Sequence, residues 1–138
     1  MHPASTKPSL LKIPVFVISL KNSPRRLYIQ EHLKNLNISF EFFDASLGLE
    51  HLEKFQTNYK TIFSEKLSNG QVGCICSHLG VYQKIIDLNL PQALILEDDI
   101  VIKDAEKLRN QLSWLLDLKS KIHWEVIRSH IPHQTLAK

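Results

Sequence analysis

The sequence holds only two cysteines, four glycines and one methionine in 138 residues. The cysteines, Cys74 and Cys76, are nearly adjacent. A bridge between them would close no useful loop, so a disulfide framework is not expected. Two such ligands are also too few for a structural zinc site. There is no Gly-rich lysine loop of the kind that wraps nucleotide phosphates, which argues against a P-loop hydrolase. Long apolar runs are missing too. The segment from Ile13 to Leu20 contains Pro14 and is flanked by Lys12 and Lys21, far short of the roughly 20 residues a bilayer span needs. No signal peptide, internal repeat or low-complexity stretch is visible. Charge is nearly balanced, at +3. The basic residues are scattered, with no basic helix or aromatic ladder, so nucleic acid is not an expected partner. The balance still tolerates an anionic nucleotide. These absences leave a reduced, cytoplasmic protein without a transmembrane segment as the expectation.

The length suits one domain with a real core. Residues 1–12 read as a loose tail. Val15 to Leu20 reads as a buried strand. Ser23 then suits an N-cap and Pro24 the first helical position. Ile29, Leu33 and Leu36 recur at helical spacing, predicting a helix from Pro24 to Leu36 that stops at Asn37. Ile38 to Phe42 alternates as a second strand. Asp44 to Lys66 reads as one or two short helices and loop. A helix opens near Ser68 and runs to Asp87, with Ile75, Leu79, Tyr82 and Ile86 as its apolar stripe. Ala93 to Glu97 reads as a strand, and Ile100 to Ile102 as its extension or another strand. Asp104 caps a further helix that buries Leu108, Leu112 and Leu115. His123 to Ile127 reads as a last strand, and 128–138 as an irregular tail. Strand, helix and strand in this order predict an α/β sheet with right-handed crossovers.

The densest chemistry lies in Leu94-Ile95-Leu96-Glu97-Asp98-Asp99-Ile100-Val101-Ile102. Three adjacent carboxylates interrupt two apolar runs. Charges in such surroundings need compensation, and a hard divalent cation such as Mg²⁺ or Mn²⁺ binds carboxylates together with substrate phosphates. A solvated turn is the plainer alternative, and the triplet alone does not decide between them. A second candidate is the turn after the first strand. Open α/β sheets bind ligands at the carboxyl ends of their strands, and a helix N-terminus there suits an anion. Lys21, Arg25 and Arg26 add positive charge. A third is Gly70 to His78, in which Cys74, His78, Val81 and Ile85 share one helix face. Cys74 with His78 suggests a nucleophile and its base, against a plain packing role for the cysteines and a structural role for His78. His123, His130 and His133 receive no role, because Pro132 breaks any regular spacing.

Three ordered blocks carry a resemblance. They are Val15 to Arg26, then Gly73-Cys74-Ile75-Cys76-Ser77-His78, then Ala93-Leu94-Ile95-Leu96-Glu97-Asp98-Asp99. Together they resemble glycosyltransferase family 25, which includes bacterial lipooligosaccharide galactosyltransferases. Phe40 to Ala45 also looks like that family's second strand. The resemblance spans Pro14 to Ile127. It implies a GT-A-like, Rossmann-type nucleotide-sugar-binding sheet with flanking helices over residues 13–127. It implies a UDP-sugar donor, UDP-galactose or a similar nucleotide sugar, and transfer to a lipooligosaccharide (lipopolysaccharide) acceptor at the inner face of the bacterial inner membrane. By the same resemblance Asp99 is the first metal ligand and Asp98 the second, for Mn²⁺ or Mg²⁺. Ser19, Leu20, Lys21, Arg25, Arg26, Ser77, His78, Glu97 and Asp98 would hold the donor. Galactosyl transfer with inversion needs a general base, and no residue of this chain is assigned to it.

Full family members continue well past the segment that resembles His123 to Ile127. An incomplete domain, truncated to the N-terminal half and with Arg128 to Lys138 out of family register, is therefore the expectation. Two alternatives stand beside the transferase: a non-catalytic nucleotide-sugar-binding remnant, and another metal-dependent nucleotidyl or phosphoryl enzyme.

Overall fold

Val15–Ser19 forms strand β1, and all five of its residues are buried. The computed structural model describes residues 8–45 and 69–118. Leu20, expected at the strand's end, lies just beyond it and is exposed. The chain then turns, with the Ser23 N–H donating to the Leu20 carbonyl at 2.9 Å. Helix α1 spans Arg25–Asn35. Pro24 occupies the cap position, one residue earlier than its sequence pattern suggests, with φ of −63° already suited to a helix. The Arg25 N–H donates to Ser23 Oγ at 3.2 Å, so Ser23 still satisfies a first-turn donor.

Helix α1 ends as expected at Asn37, whose φ is 58°. Asn tolerates this left-handed conformation better than most residues. The Asn37 N–H donates to the Lys34 carbonyl and the Ile38 N–H to that of Leu33. This is the Schellman arrangement, and the buried Leu33 and Ile38 share one core cluster as its apolar contact. The same stop recurs after helix α2, Asn69–Asp87. There Asn89 has φ of 53°, and the Leu90 N–H donates to Ile85. Both helices are thus turned back toward the sheet by one local device.

Strand β2 is Glu41–Asp44, later than the expected Ile38 to Phe42. Ile38 is consumed by the helix stop, so the ladder with β1 begins at Phe16 opposite Glu41. Strand β3 is Leu94–Glu97 and also pairs with β1 in parallel, with Ile18 opposite Glu97. Among the described residues the sheet has the order β2-β1-β3. Strand β3 lies at an edge there and is mostly half-buried. Ile100 to Ile102 adds no strand; Ile100 and Ile102 are instead buried in the core. Helix α3, Ala105–Leu118, follows with Asp104 Oδ1 accepting the Lys107 N–H at 3.0 Å.

Alternation along β1 divides the core into two layers. Val15 and Val17 pack with Ile29 and Leu33 of α1, with Leu96, and with Leu108 and Leu112 of α3. Phe16 and Ile18 pack on the opposite face with Val81 and Ile85 of α2 and Ile95 of β3. The buried positions of α2 accordingly include Val72, Gly73, Cys76, Ser77 and Val81. The expected stripe is corrected here: Ile75 is 36% and Ile86 68% exposed.

Residues 8–12 are also not a loose tail. The Leu10 N–H donates to the Asn37 carbonyl, Ser9 Oγ accepts the Ser39 N–H, and Leu11 is buried. The expected helices within 46–66, the strand at 123–127 and the tail at 128–138 fall outside the described residues. The result is an α/β fold with helices on both faces of a parallel sheet.

Candidate functional site

Strand β1 sends the chain first to β2 on one side, while β3 joins on the other. The carboxyl ends of β1 and β3 therefore flank a topological switch point, where open α/β sheets place their ligands. Of the expected residues, Ser19, Arg25 and Asp98 meet there. The Ser19 hydroxyl donates to Asp98 Oδ2 at 2.7 Å. Arg25 Nη1, from the first turn of α1, lies 3.5 Å from Asp98 Oδ1. Asp98 is buried, whereas the Arg25 side chain is 62% exposed. A buried carboxylate is thus held by a hydroxyl on one oxygen and faces a cation on the other, as burial of a charge requires.

The two arginines separate into different roles. Arg26 Nη2 donates to the Ser19 carbonyl at 2.8 Å and pairs with Asp44 Oδ1 at 2.6 Å. Its guanidinium also lies 4.5 Å from the centre of the Phe42 ring. Arg26 consequently fastens α1 across the ends of β1 and β2. Arg25 is the one that reaches the acidic turn. Leu20 and Lys21 are exposed at the rim.

Asp99 is half-buried on the same turn as Asp98. Two adjacent carboxylates offer the hard oxygen donors that Mg²⁺ and Mn²⁺ take, so the side chains present fit such an ion. From α2, His78 Nε2 comes within 3.6 Å of Glu97 Oε1 and Cys74 Sγ within 3.9 Å of the same atom. The helix face drawn through Cys74 and His78 thus meets the end of β3. Ser77 behaves differently. It is buried, and its hydroxyl donates back to the Gly73 carbonyl at 2.7 Å, which gives it a packing role inside α2.

One residue was absent from every motif. His32 Nε2 accepts the Ile102 N–H at 2.9 Å, tying α1 to the segment that leaves the acidic turn. Burial lowers the pKa of this imidazole. Its position within the α1 repeat gives no sign of a partner 70 residues away.

The family model described as glycosyltransferase family 25 (LPS biosynthesis protein) matches residues 12–135. The chain belongs to glycosyltransferase family 25. The lipooligosaccharide biosynthesis protein lic2B of Haemophilus influenzae is 37% identical, over 72% of this chain and 39% of its own length. The lacto-N-neotetraose biosynthesis glycosyltransferase LgtE of Neisseria meningitidis is 32% identical, over 72% and 37% respectively. The inactive glycosyltransferase 25 family member 3 of Mus musculus is 30% identical, over 82% and 21%. The chain therefore spans less than two fifths of each of these relatives. Family 25 membership covers all three blocks that carry the site: the end of β1, the first half of α2 and the acidic turn after β3.

Proposed function

We propose that the switch point between β1 and β3 binds the nucleotide-sugar donor of a GT-A-like glycosyltransferase. The donor is UDP-galactose or a similar UDP-sugar, and the acceptor is a lipooligosaccharide at the inner face of the inner membrane. The observation that carries this reading is the buried Asp98, held between Ser19 and Arg25 at the carboxyl ends of parallel strands. Family membership favours sugar transfer over another metal-dependent nucleotidyl or phosphoryl reaction.

Asp99, with Asp98 beside it, would hold Mn²⁺ or Mg²⁺. When bound, such a cation offsets the charge of the departing diphosphate as a Lewis acid. Arg25 adds a positive group on the same side, at the positive end of the α1 dipole. Ser19 keeps the Asp98 carboxylate oriented, so the acidic turn is preorganised before donor arrives. Among the described residues no helix is long and apolar enough to cross a membrane. The lipid-linked acceptor would be met peripherally.

A donor-binding chain without turnover is the second reading. The mouse relative, named inactive, matches this same segment, which favours it. Calorimetric titration of UDP, UDP-galactose and ATP, with and without Mn²⁺, tests both readings. Metal-dependent binding of UDP-galactose that Asp99→Ala abolishes supports the donor site. Galactose transfer or hydrolysis then separates the enzyme from the silent binder. A folded chain that binds neither UDP nor UDP-galactose refutes the donor site.

A further inference from the structure

We propose that Cys74, His78 and Glu97 form a second metal site, for a borderline transition ion of the Zn²⁺ class. It is distinct from the oxygen site assigned to Asp98 and Asp99. Among the described residues, this is the one group of three or more His, Cys, Asp or Glu side chains whose ligand atoms lie close enough together to share an ion. Those atoms all lie within 4.8 Å of one another.

The site follows from the fold. Cys74 and His78 are four residues apart on α2, so they stand one turn apart on a single face. Two metal ligands at that spacing on one helix are a recurrent way to seat zinc. Glu97 is the last residue of β3, and its register opposite Ile18 fixes it beneath that face. Glu97 Oε1 lies 3.6 Å from His78 Nε2 and 3.9 Å from Cys74 Sγ. With bonds of about 2.0–2.3 Å, tetrahedral ligands sit roughly 3.3–3.8 Å apart. The pairs through Glu97 are already close to that spacing. The remaining pair, Cys74 with His78, lies within 4.8 Å, so at most about 1 Å of contraction is left to side-chain rotation.

The donor set selects the ion. Thiolate and imidazole suit zinc and its neighbours, whereas Mg²⁺ and Ca²⁺ prefer carboxylates and water. A proton leaves the Cys74 thiol for solvent as the sulfur–metal bond forms, and no redox partner is needed. The His78 and Glu97 side chains are 31% and 44% exposed, so an ion has a path from solvent. Three protein ligands give a site whose fourth position goes to water. Without an ion, an exposed His–Glu pair contributes little to stability. With one, α2 is pinned to the strand that leads into the acidic turn.

The test is titration of Co²⁺, then Zn²⁺, into the reduced chain, followed by absorption spectroscopy. Expected are a near-ultraviolet thiolate-to-cobalt band and the visible bands of four-coordinate cobalt, at one equivalent and displaced by Zn²⁺. Cys74→Ser abolishes the thiolate band, and His78→Ala weakens Zn²⁺ binding about ten-fold or more. The spectrum persists in Cys76→Ala and Asp99→Ala. Circular dichroism verifies folding of each variant, and the two ligand variants test the site independently. No thiolate band in the folded chain, or one that survives Cys74→Ser or requires Asp99, overturns the proposal. UDP binding is scored separately, so failure here leaves the donor site untouched.

Discussion

The Ser19 hydroxyl donates a 2.7 Å hydrogen bond to Asp98 Oδ2, joining the end of β1 to the turn after β3 across 79 residues of sequence. Both partners are buried. Ser19→Ala leaves a buried carboxylate oxygen short of a donor, which costs roughly 1–3 kcal/mol. The expected result is a lower urea midpoint with an unchanged slope. UDP affinity should fall as well, because Asp98 is no longer held in place.

Arg25→Ala should do the reverse. An exposed guanidinium 3.5 Å from its partner adds at most about 1 kcal/mol to folding. Its loss should therefore barely move the urea midpoint. Binding of UDP, measured by calorimetry, should weaken about ten-fold, the effect of losing roughly 1.4 kcal/mol of interaction with the diphosphate.

Arg26→Ala is expected to act on stability first. Its side chain serves the Ser19 carbonyl, Asp44 and the Phe42 ring together. Losing those ties should cost roughly 1–3 kcal/mol in chemical unfolding. Arg26→Lys should recover only part of this, since an ammonium cannot reproduce the planar fork. Equal losses for Arg25→Ala and Arg26→Ala would contradict the division of roles.

His32 should make stability depend on pH. Burial lowers its pKa from the ordinary 6.5. The unfolded chain therefore takes up this proton more readily than the folded one. The stability contribution is complete above 6.5 and is lost as pH falls through the lowered folded value. Protonated Nε2 also cannot accept the Ile102 N–H. Urea midpoints between about pH 8 and pH 5 should fall more steeply for the wild type than for His32→Gln.

Much of this site was legible in sequence, for identifiable reasons. The aliphatic run at Val15, the stop at Asn37 and the cap at Asp104 are local signals, and local hydrogen bonds decide them. The three acids stood out because charge beside apolar runs is costly wherever the chain goes. What stayed hidden was pairing at a distance. Nothing near Ser19 announces Asp98, and nothing near His32 announces Ile102. Helix α2 misled for another reason. It carries apolar residues on several sides, so periodicity alone chose Ile75 and Ile86 over Val72, Cys76 and Val81. Strand β2 slipped because Ile38, although part of the alternation, is spent closing the helix before it.

The central position of β1 also sets a schedule for biosynthesis. Its partner on one side, β2, begins 26 residues after β1 does, at Glu41 against Val15. Its partner on the other, β3, is 79 residues away, as Leu94 opposite Val15. At about 5–20 residues per second, a ribosome leaves that second edge of β1 open for on the order of 4–16 s. During this interval the nascent chain carries an unpaired strand edge, able to template against any neighbouring extended segment. The strand order that opens the crevice between β1 and β3 in the finished fold thus also makes its assembly vulnerable to misassociation.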